Sequence, residues 1–461
     1  MVDRAFTATC KQFEQPDRSW NFATATEVSL FERGHPSMRK KILISIPAVF
    51  LGVILSITAQ QAVQDAPSGF TTPMLVTNPG SQSVSNGIAE PAGDTFARDQ
   101  AVFESIRDAS TGLGPLFNGT SCVTCHQNPV TGAASQITEI RVGHSDDNGN
   151  FVNPTVTING GQNTVTGRSL INDRATCAQA EEHVPLSETT RTLRAALNTL
   201  GDGFVEAIDD ATLMAIASSQ PGQSGGLIQG EAIEVPILEA PGQFRIGRFG
   251  WKDQHGSLLS FVADAYLNEM GITNRLKPVD STLVCTTMAI VEDQPDANGL
   301  ADIDHFAQFI RGTQTPPREP TLAVTPDAQA GQTLFESVGC NICHVESITT
   351  SPVGAAINGG TLMVDAALAN KAIHPFGDYL LHDVGTGDGI VQAGPQDTAN
   401  KVRTAPLWGL RTKSRYMHDL VSLTLQDAIA RHRGEARGVL HKFNALTATQ
   451  RQQVIAFLNS L

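Results

Sequence analysis

The chain has 461 residues, more than a single hydrophobic core usually serves, and its 41% hydrophobic and 17% charged residues are typical of a soluble globular protein. We therefore expect two domains. The net charge of −14 argues against nucleic acid as a partner, because a phosphate backbone calls for a basic surface, and it favours a basic protein instead.

The sequence from Met38 has the layout of a secretory signal peptide. Three basic residues come first, and an apolar run over residues 42–57 and then small residues follow them. We expect residues 1–37 to be a non-native extension, residues 38–62 to be the signal peptide, and the mature protein to reside in the periplasm. The apolar run is short for a membrane-spanning helix, and an uncleaved membrane anchor is the alternative.

Four segments are predicted to be helices, two in each half of the chain. They are residues 94–109, 301–312, 325–339 and 446–461. In the third segment, Ala330, Leu334 and Val338 recur at helical spacing, which predicts a buried stripe. In the last segment, Thr447 and Gln450 are placed to form a capping box at the start of the helix.

The strongest signals are "CVTCH" at residues 122–126 and "CNICH" at residues 340–344. In this spacing two thiols can add to the two vinyl groups of a haem, and the following His reaches the iron. A redox dithiol does not explain the His in both copies, and a zinc site needs a second ligand pair at close spacing, which the sequence lacks. Two covalently bound haem c groups are therefore predicted. The cofactor-binding residues are Cys122, Cys125, His126, Cys340, Cys343 and His344.

Each half of the chain repeats one arrangement, in which a predicted helix precedes the motif and another helix closes the unit. Prolines in residues 313–324 disfavour a helix, so this segment is the predicted linker. The expected domains are residues 63–312 and 325–461. The expected fold class is mainly α, with two cytochrome c-like haem domains, extended loops and little β structure.

Outside residues 1–62 and the two motifs, the remaining cysteines are Cys177 and Cys285. Export would place them in an oxidising compartment, where they could form a disulfide. Two separate buried thiols are the alternative.

The sequence resembles the di-haem oxidoreductases, a branch related to the bacterial di-haem cytochrome c peroxidases and to the enzyme that matures methylamine dehydrogenase. The stretches that carry the resemblance are "NGTSCVTCHQNP", "GRFGWKDQHGSLLSFVADAYLNEMG", "HPFGDYLLHDVGTG", "RTAPLWGLRTKSRYMHD" and "TLQDAIARHRGEA". Together they span about residues 95–461. The resemblance implies a peroxidase that reduces H₂O₂ at the N-terminal haem, with electrons entering at the C-terminal haem.

The resemblance also implies further iron ligands. In the relatives a helix that begins with "TL" carries the sixth ligand of the C-terminal haem, and "TLQDAIARH" has His432 at that position. Ligation by both His344 and His432 would close this haem to substrate, whereas a His on a polar helix face is the alternative. For the N-terminal haem, held by His126, the relatives imply a distal His in the stretch "RVGH", which ends at His144. A His in a surface loop is the alternative there.

Two catalytic residues follow from the same resemblance. The relatives place a Trp between the haems and a Glu above the peroxide-binding iron, and this sequence offers Trp251 and Glu269 in that order. Trp251 would carry electrons between the haems, and Glu269 would move a proton between the peroxide oxygens if burial raises its pKa. Core packing for Trp251 and a solvated helix carboxylate for Glu269 are the alternatives.

The remaining expectations concern calcium, partners and other functions. The relatives bind Ca²⁺ between their domains, and the Asp- and Gly-rich turns at residues 145–150 and 383–389 offer oxygens for it. The electron donor would be a small cytochrome c or a cupredoxin, and a homodimer is left open. The alternative functions are a non-catalytic di-haem electron-transfer protein and an oxidase acting on a protein partner. The absence of the maturation enzyme's Tyr ligand counts against the oxidase.

Overall fold

The computed structural model describes residues 63–69, 85–286 and 291–461. The predicted extension and signal peptide, residues 1–62, lie outside the described residues. The described residues belong to one compact unit. The division into residues 63–312, 313–324 and 325–461 stays a prediction.

Helices occur along the whole described chain. The α-helices are α1 (Phe96–Glu104), α2 (Asp202–Glu206), α3 (Asp210–Ser224), α4 (Leu258–Met270), α5 (Asp302–Gly312), α6 (Pro320–Ala323), α7 (Pro326–Val338), α8 (Leu425–Ala430), α9 (Arg437–Ala445) and α10 (Ala448–Leu458). Each motif begins in a short 3₁₀ turn, Cys122–Thr124 in the first and Cys340–Ile342 in the second.

Strands are short and numerous. They are β1 (Gln64–Asp65), β2 (Leu116–Phe117), β3 (Thr138–Ser145), β4 (Phe151–Val152), β5 (Val156–Ile158), β6 (Asn163–Val165), β7 (Leu170–Ile171), β8 (Arg174–Ala175), β9 (Thr190–Ala195), β10 (Glu234–Pro236), β11 (Phe244–Ile246), β12 (Ile348–Thr349), β13 (Ala356–Ile357), β14 (Leu362–Met363), β15 (Lys371–Ile373), β16 (Leu381–His382) and β17 (Val402–Arg403).

The prediction of a mainly α fold is wrong. The structure has 32% helix and 16% strand, and the strands form several small sheets. The largest sheet has four strands, with β3 paired to β4, β7 and β9. Polar and apolar residues alternate over residues 139–142 of β3 and 192–195 of β9, a period that favours strands over helices. The predicted helices flank the two motifs, whereas the strands of this sheet lie in the long chain segment between the first motif and the second.

All four predicted helices are present, as α1, α5, α7 and α10. The predicted capping box is confirmed, because the Thr447 hydroxyl accepts from the Gln450 backbone N–H and the Gln450 side chain accepts from the Thr447 backbone N–H. The buried face of α7 differs from the predicted stripe. It consists of Ala328, Gly331, Phe335 and Val338, because α10 packs so closely that a Cβ on Gly331 would lie 1.9 Å from the Gln453 carbonyl oxygen.

The antiparallel pair of β3 and β9 places charged residues next to the first motif. Its register runs from Thr138 opposite Ala195 to Gly143 opposite Thr190, and Glu139 lies opposite Arg194. Successive strand residues point to opposite faces, so Glu139 and residue 141 share one face.

The hydrophobic core joins residues from both sides of the predicted linker. The largest cluster includes Phe103, Phe204 and Phe309 before the linker and Ile373 and Trp408 after it. A second cluster, with Phe335, Phe376, Phe443 and Phe457, packs against Cys340. Buried hydrogen bonds also join the two sides of the predicted linker. Glu206 accepts from Arg311 Nε, before the linker, at 2.7 Å and from Asn358 Nδ2, after it, at 2.9 Å.

The two leftover cysteines, Cys177 and Cys285, form a disulfide with their Cα atoms 6.4 Å apart. The cross-link closes a chain separation of 108 residues. Among the described residues, no helix combines the length and the apolar character needed to cross a membrane.

Candidate functional site: two motif pockets and the residues between them

The C-terminal motif sits where α7 meets a cavity. Helix α7 ends at Gly339, whose φ of 97° lies in the left-handed region that favours glycine and lets the chain turn into the 3₁₀ turn that starts at Cys340. Cys340, Cys343 and His344 line the cavity, and His432 lines it as well. The cavity has an accessible volume of about 230 Å³, and apolar side chains such as Phe335 form most of its wall.

His344 and His432 face each other as neutral imidazoles. Their ring centroids are 6.4 Å apart. His344 Nδ1 lies 3.0 Å from the Phe376 carbonyl and His432 Nδ1 lies 2.8 Å from the Ala428 carbonyl, so each Nδ1 carries the proton and each Nε2 is left for a metal. Burial lowers the pKa of His344 to about 4 and also lowers the pKa of His432, which keeps both rings neutral at pH 7.

The spacing of the two rings fits a haem iron between them. With His nitrogens about 2.0–2.1 Å from a metal on opposite sides, the ring centroids would lie about 6.3 Å apart. The observed 6.4 Å matches this value. The residues that would hold the C-terminal haem are therefore Cys340, Cys343, His344 and His432, although the ligand role of His432 stays a prediction.

The four motif cysteines form no disulfide in the structure, and their thiols have low reactivity. Burial raises the pKa of Cys122, Cys125 and Cys340 to about 12, and it also raises the pKa of Cys343. Thiols of this kind are protonated at pH 7 and are poor nucleophiles for disulfide exchange. The raised pKa values therefore argue against a redox dithiol at either motif.

The N-terminal motif offers a second proximal His. His126 is buried, and burial lowers its pKa to about 4 even though the nearby backbone of Leu197 and Ala133 favours the charged form. Its Nδ1 is buried without a hydrogen-bond partner, and its ring lies 6.3 Å from that of Phe103 in α1. A neutral, buried imidazole fits the proximal ligand of a haem held by Cys122 and Cys125.

Two carboxyl groups lie beside Cys125. Glu269 in α4 lies against Glu139 in β3, and the charges of both add to burial in raising the pKa of Cys125. Burial and the charge of Glu139 raise the pKa of Glu269 to about 8. Burial alone would raise the pKa of Glu139 as well, but the Arg141 guanidinium, 2.6 Å away, holds it below its usual range. The pair therefore carries one proton at pH 7, and Glu269 holds it.

The predicted Glu269 is thus a buried and hydrogen-bonded group, and its oxygen Oε2 accepts from Asn118 Nδ2 at 2.7 Å. Sequence reasoning did not find Glu139, Arg141 or Arg168, which complete this polar pocket. Arg168 has two buried nitrogens, Nε and Nη1, without hydrogen-bond partners. Such donors fit an anionic oxygen of a bound group, a haem propionate included. The alternating pattern of β3 was the one available signal for Glu139 and Arg141.

Trp251 lies between the cavity of the C-terminal motif and the chain segment that approaches His126. Its ring lines the cavity of the C-terminal motif and packs edge-on against His418 with centroids 5.9 Å apart. Its Nε1 donates to the Ala195 carbonyl at 2.8 Å. Two residues further along, the backbone of Leu197 lies close to the ring of His126. A short stretch of main chain therefore connects Trp251 to the N-terminal motif.

His144 lies on the other face of β3. Since Glu139 and Arg141 share one face, residue 144 points to the opposite one. Its Nδ1 lies 2.8 Å from Glu188 Oε2, and its side chain is 37% exposed. This position gives the ligand role of His144 no support, and that role stays a prediction.

The two candidate calcium turns use their oxygens internally. Asp146 Oδ1 accepts from the backbone N–H groups of Asn148 and Asn150. Asp388 pairs with Arg194 Nε at 2.6 Å and with Lys252 Nζ at 3.3 Å. Calcium at these turns stays a prediction.

A family model described as "Di-haem oxidoreductase, putative peroxidase" matches residues 184–461. The chain belongs to this di-haem oxidoreductase family. The match includes "CNICH", Trp251, Glu269 and His432, while "CVTCH" lies before it. No curated protein matches this di-haem oxidoreductase.

Three solved structures are similar to parts of this di-haem oxidoreductase. A MauG-like protein associated with microbial copper homeostasis is 20% identical over 35% of this chain, with a TM-score of 0.23, and the chain spans 52% of that protein. Hydrazine synthase of Kuenenia stuttgartiensis is 14% identical over 85% of this chain and all of the other chain, with a TM-score of 0.34. The di-haem peroxidase BthA of Burkholderia thailandensis is 14% identical over 87% of this chain and 94% of the other, with a TM-score of 0.31.

Proposed function

We propose that this di-haem oxidoreductase is an exported peroxidase that reduces H₂O₂ at its N-terminal haem and receives electrons at its C-terminal haem. The observation that carries the proposal is the difference between the surroundings of the two motifs. In the C-terminal pocket a second His faces the motif His. In the N-terminal pocket a protonated carboxyl group, Glu269, and an ionised one, Glu139, lie beside Cys125.

Cys122, Cys125 and His126 would hold the N-terminal haem, and Cys340, Cys343, His344 and His432 the C-terminal one. When bound, the two haems supply electron storage and an iron that takes up peroxide.

Glu269 and Glu139 supply the proton chemistry. Reduction of peroxide requires a proton to be taken from one oxygen and delivered to the other, which one group can do only if its pKa is near the working pH. The raised pKa of Glu269, about 8, meets this requirement. Asn118 holds the Glu269 side chain in position, and burial keeps bulk water from competing for the proton.

Trp251 supplies the connection between the pockets. It lines the C-terminal pocket, and its Nε1–H bonds to Ala195, two residues before the backbone that approaches His126. We propose this route for electron transfer in the direction from the C-terminal to the N-terminal motif.

The proposed donor is a small cytochrome c or a cupredoxin with a basic docking surface, which the net charge of −14 favours. A homodimer and a calcium ion between the halves are further proposals that come from the family resemblance.

The decisive experiment is turnover with H₂O₂ and an artificial electron donor, using the exported protein with both haems. We expect Glu269→Gln to lower kcat by about 10²- to 10⁴-fold, the usual contribution of a general acid–base group, with unchanged haem content. Glu181→Gln, at an exposed Glu, is the matched control and should turn over like the wild type. Unchanged turnover of Glu269→Gln would remove this residue from the mechanism.

The facing pair of His344 and His432 would also suit a non-catalytic electron-transfer protein, because it leaves no open position at that haem. A wild-type protein that is fully low-spin, does not bind CO and is inert to H₂O₂ would assign that function instead.

A further inference from the structure

A buried group of ionisable side chains joins α1 to α5, away from the residues assigned to the haems. His305 Nδ1 lies 2.7 Å from Asp99 Oδ1 and 3.2 Å from Asp94 Oδ2. The candidate ligand atoms of Asp94, Asp99 and His305 all lie within 4.8 Å of one another. The two Asp side chains are 0% exposed and the His side chain is 3% exposed.

Several carboxyl oxygens in this group have no hydrogen-bond partner. They are Oδ2 of Asp99 and both side-chain oxygens of Glu90, while Oδ2 of Asp94 has only the ion-pair contact with His305 Nδ1 at 3.2 Å. Buried oxygens of this kind are costly unless a proton or a cation lies between them. Burial and the charges of Asp94 and Glu90 raise the pKa of Asp99 to about 9, so Asp99 retains a proton at pH 7 when no cation is bound.

The second ring nitrogen of His305, Nε2, faces a carboxylate, as is usual for a metal-bound imidazole. This nitrogen lies 3.5 Å from Asp296 Oδ2, and the same oxygen accepts from Arg98 Nη2 at 2.5 Å. A carboxylate behind the second nitrogen fixes the tautomer and orientation of a metal-bound imidazole. Zinc at Nδ1 would replace the 2.7 Å contact with Asp99 Oδ1, and the ring proton would then sit on Nε2, facing Asp296.

We propose that Asp94, Asp99 and His305 bind one Zn²⁺ ion, with Glu90 as the nearest further carboxylate. One imidazole and two or three carboxylates suit zinc, whereas Ca²⁺ and Mg²⁺ prefer sites made of oxygen alone with six or more ligands. Ligand bonds of about 2.0–2.2 Å in a tetrahedron place ligand atoms about 3.3 Å apart. The observed separations of 2.7 Å to Asp99 and 3.2 Å to Asp94 would have to open by about 0.6 and about 0.1 Å.

The ion would act as a structural clamp behind the N-terminal motif. Helices α1 and α5 pack through Phe96 and Phe309, whose stacked rings lie 5.4 Å apart. Phe103, one turn after Asp99, contacts both Phe309 and the ring of His126. A metal between Asp99 and His305 would therefore hold the helix pair against which His126 packs. This proposal does not rest on peroxidase activity.

The test is zinc binding to the purified protein with both haems, by calorimetry after treatment with a chelator. We expect one Zn²⁺ per chain in addition to the haem irons. The Tm should rise by a few degrees with saturating zinc.

Asp99→Asn and His305→Gln should each abolish this binding, while His441→Gln, at an exposed His, should bind like the wild type. Zinc that binds equally to Asp99→Asn, His305→Gln and the wild type would overturn the proposal. If either variant fails to fold, anomalous diffraction of the zinc-soaked wild type at the zinc edge decides. A peak between α1 and α5 supports the site, and a peak only elsewhere, or none, overturns it.

Discussion

At the scale of single residues, burial decides the chemistry of Glu269. An exposed Glu is ionised at pH 7, but this one is buried against Glu139, and its pKa rises to about 8. Glu139 is buried too, but the Arg141 guanidinium lowers its pKa and keeps it ionised. An acid and a base therefore lie in contact. The free-energy cost of burying a second negative charge beside Glu139 is what keeps Glu269 protonated at neutral pH.

Glu269 should also make stability depend on pH. The folded state keeps the proton up to about pH 8, whereas the unfolded chain releases it near pH 4.5. The folded state therefore binds more protons in this interval, and its stability falls as the pH rises from about 4.5 to about 8. We expect the unfolding free energy of Glu269→Gln, relative to that of the wild type, to increase over this range in urea titrations. A difference that is constant with pH would contradict the raised pKa.

His432 allows a second residue-scale prediction. His432→Ala should open one position on the C-terminal haem, which a high-spin absorption band and CO binding to the reduced protein would show. His432→Met should keep the haem six-coordinate and raise its midpoint potential by on the order of 100 mV, because a thioether favours the reduced iron. His441→Gln serves as the control on an exposed His and should leave the spectrum unchanged. An unaltered spectrum in His432→Ala would exclude ligation by His432.

At the scale of elements, β9 and the residues after it connect the two motif pockets. The Ala195 carbonyl accepts from Trp251, the Ala195 N–H donates to the His418 carbonyl, and the Leu197 backbone approaches His126. Residues 195–197 therefore contact Trp251 and His418 on one side and His126 on the other.

We expect Trp251→Phe to slow electron transfer between the haems by several-fold or more, because the indole and its hydrogen bond to Ala195 are lost. Haem content and both midpoint potentials should stay unchanged. Stopped-flow spectroscopy after rapid reduction of the C-terminal haem measures the rate. Trp408→Phe is the matched control, since Trp408 lies in the core and its indole nitrogen has no hydrogen-bond partner. Equal rates in both variants would assign Trp251 to packing.

At the scale of the whole molecule, distant segments share one core and one cross-link. Residues before and after the predicted linker meet in the largest hydrophobic cluster and in the buried contacts of Glu206 with Arg311 and Asn358. The disulfide between Cys177 and Cys285 adds a covalent tie across 108 residues.

The double variant Cys177→Ser, Cys285→Ser should be destabilised by up to about 4 kcal/mol, because the cross-link no longer restricts a loop of about 100 residues in the unfolded chain. The free energy of unfolding in urea checks this value. Mild reduction of the wild type should give the same loss, because it breaks the same cross-link. A variant as stable as the wild type would show that the cross-link contributes no net stability.

The sequence by itself determined the features that depend on neighbouring residues: the two motifs, four helices and one helix cap. The two Cys-x-x-Cys-His motifs predicted haem attachment, apolar spacing predicted α1, α5, α7 and α10, and Thr447 with Gln450 predicted the cap of α10. These features depend on atoms a few residues apart, so local chemistry is enough to specify them.

Only the tertiary structure decided which distant residues meet. It brought Glu139 to Glu269, joined Cys177 to Cys285 and set His432 opposite His344. It also revealed the sheet that overturned a mainly α fold, and the contact of Asp99 with His305 between two helices about 200 residues apart in the chain. Such contacts depend on how the elements pack, and a pattern confined to one segment carries no information about the segment that will cover it.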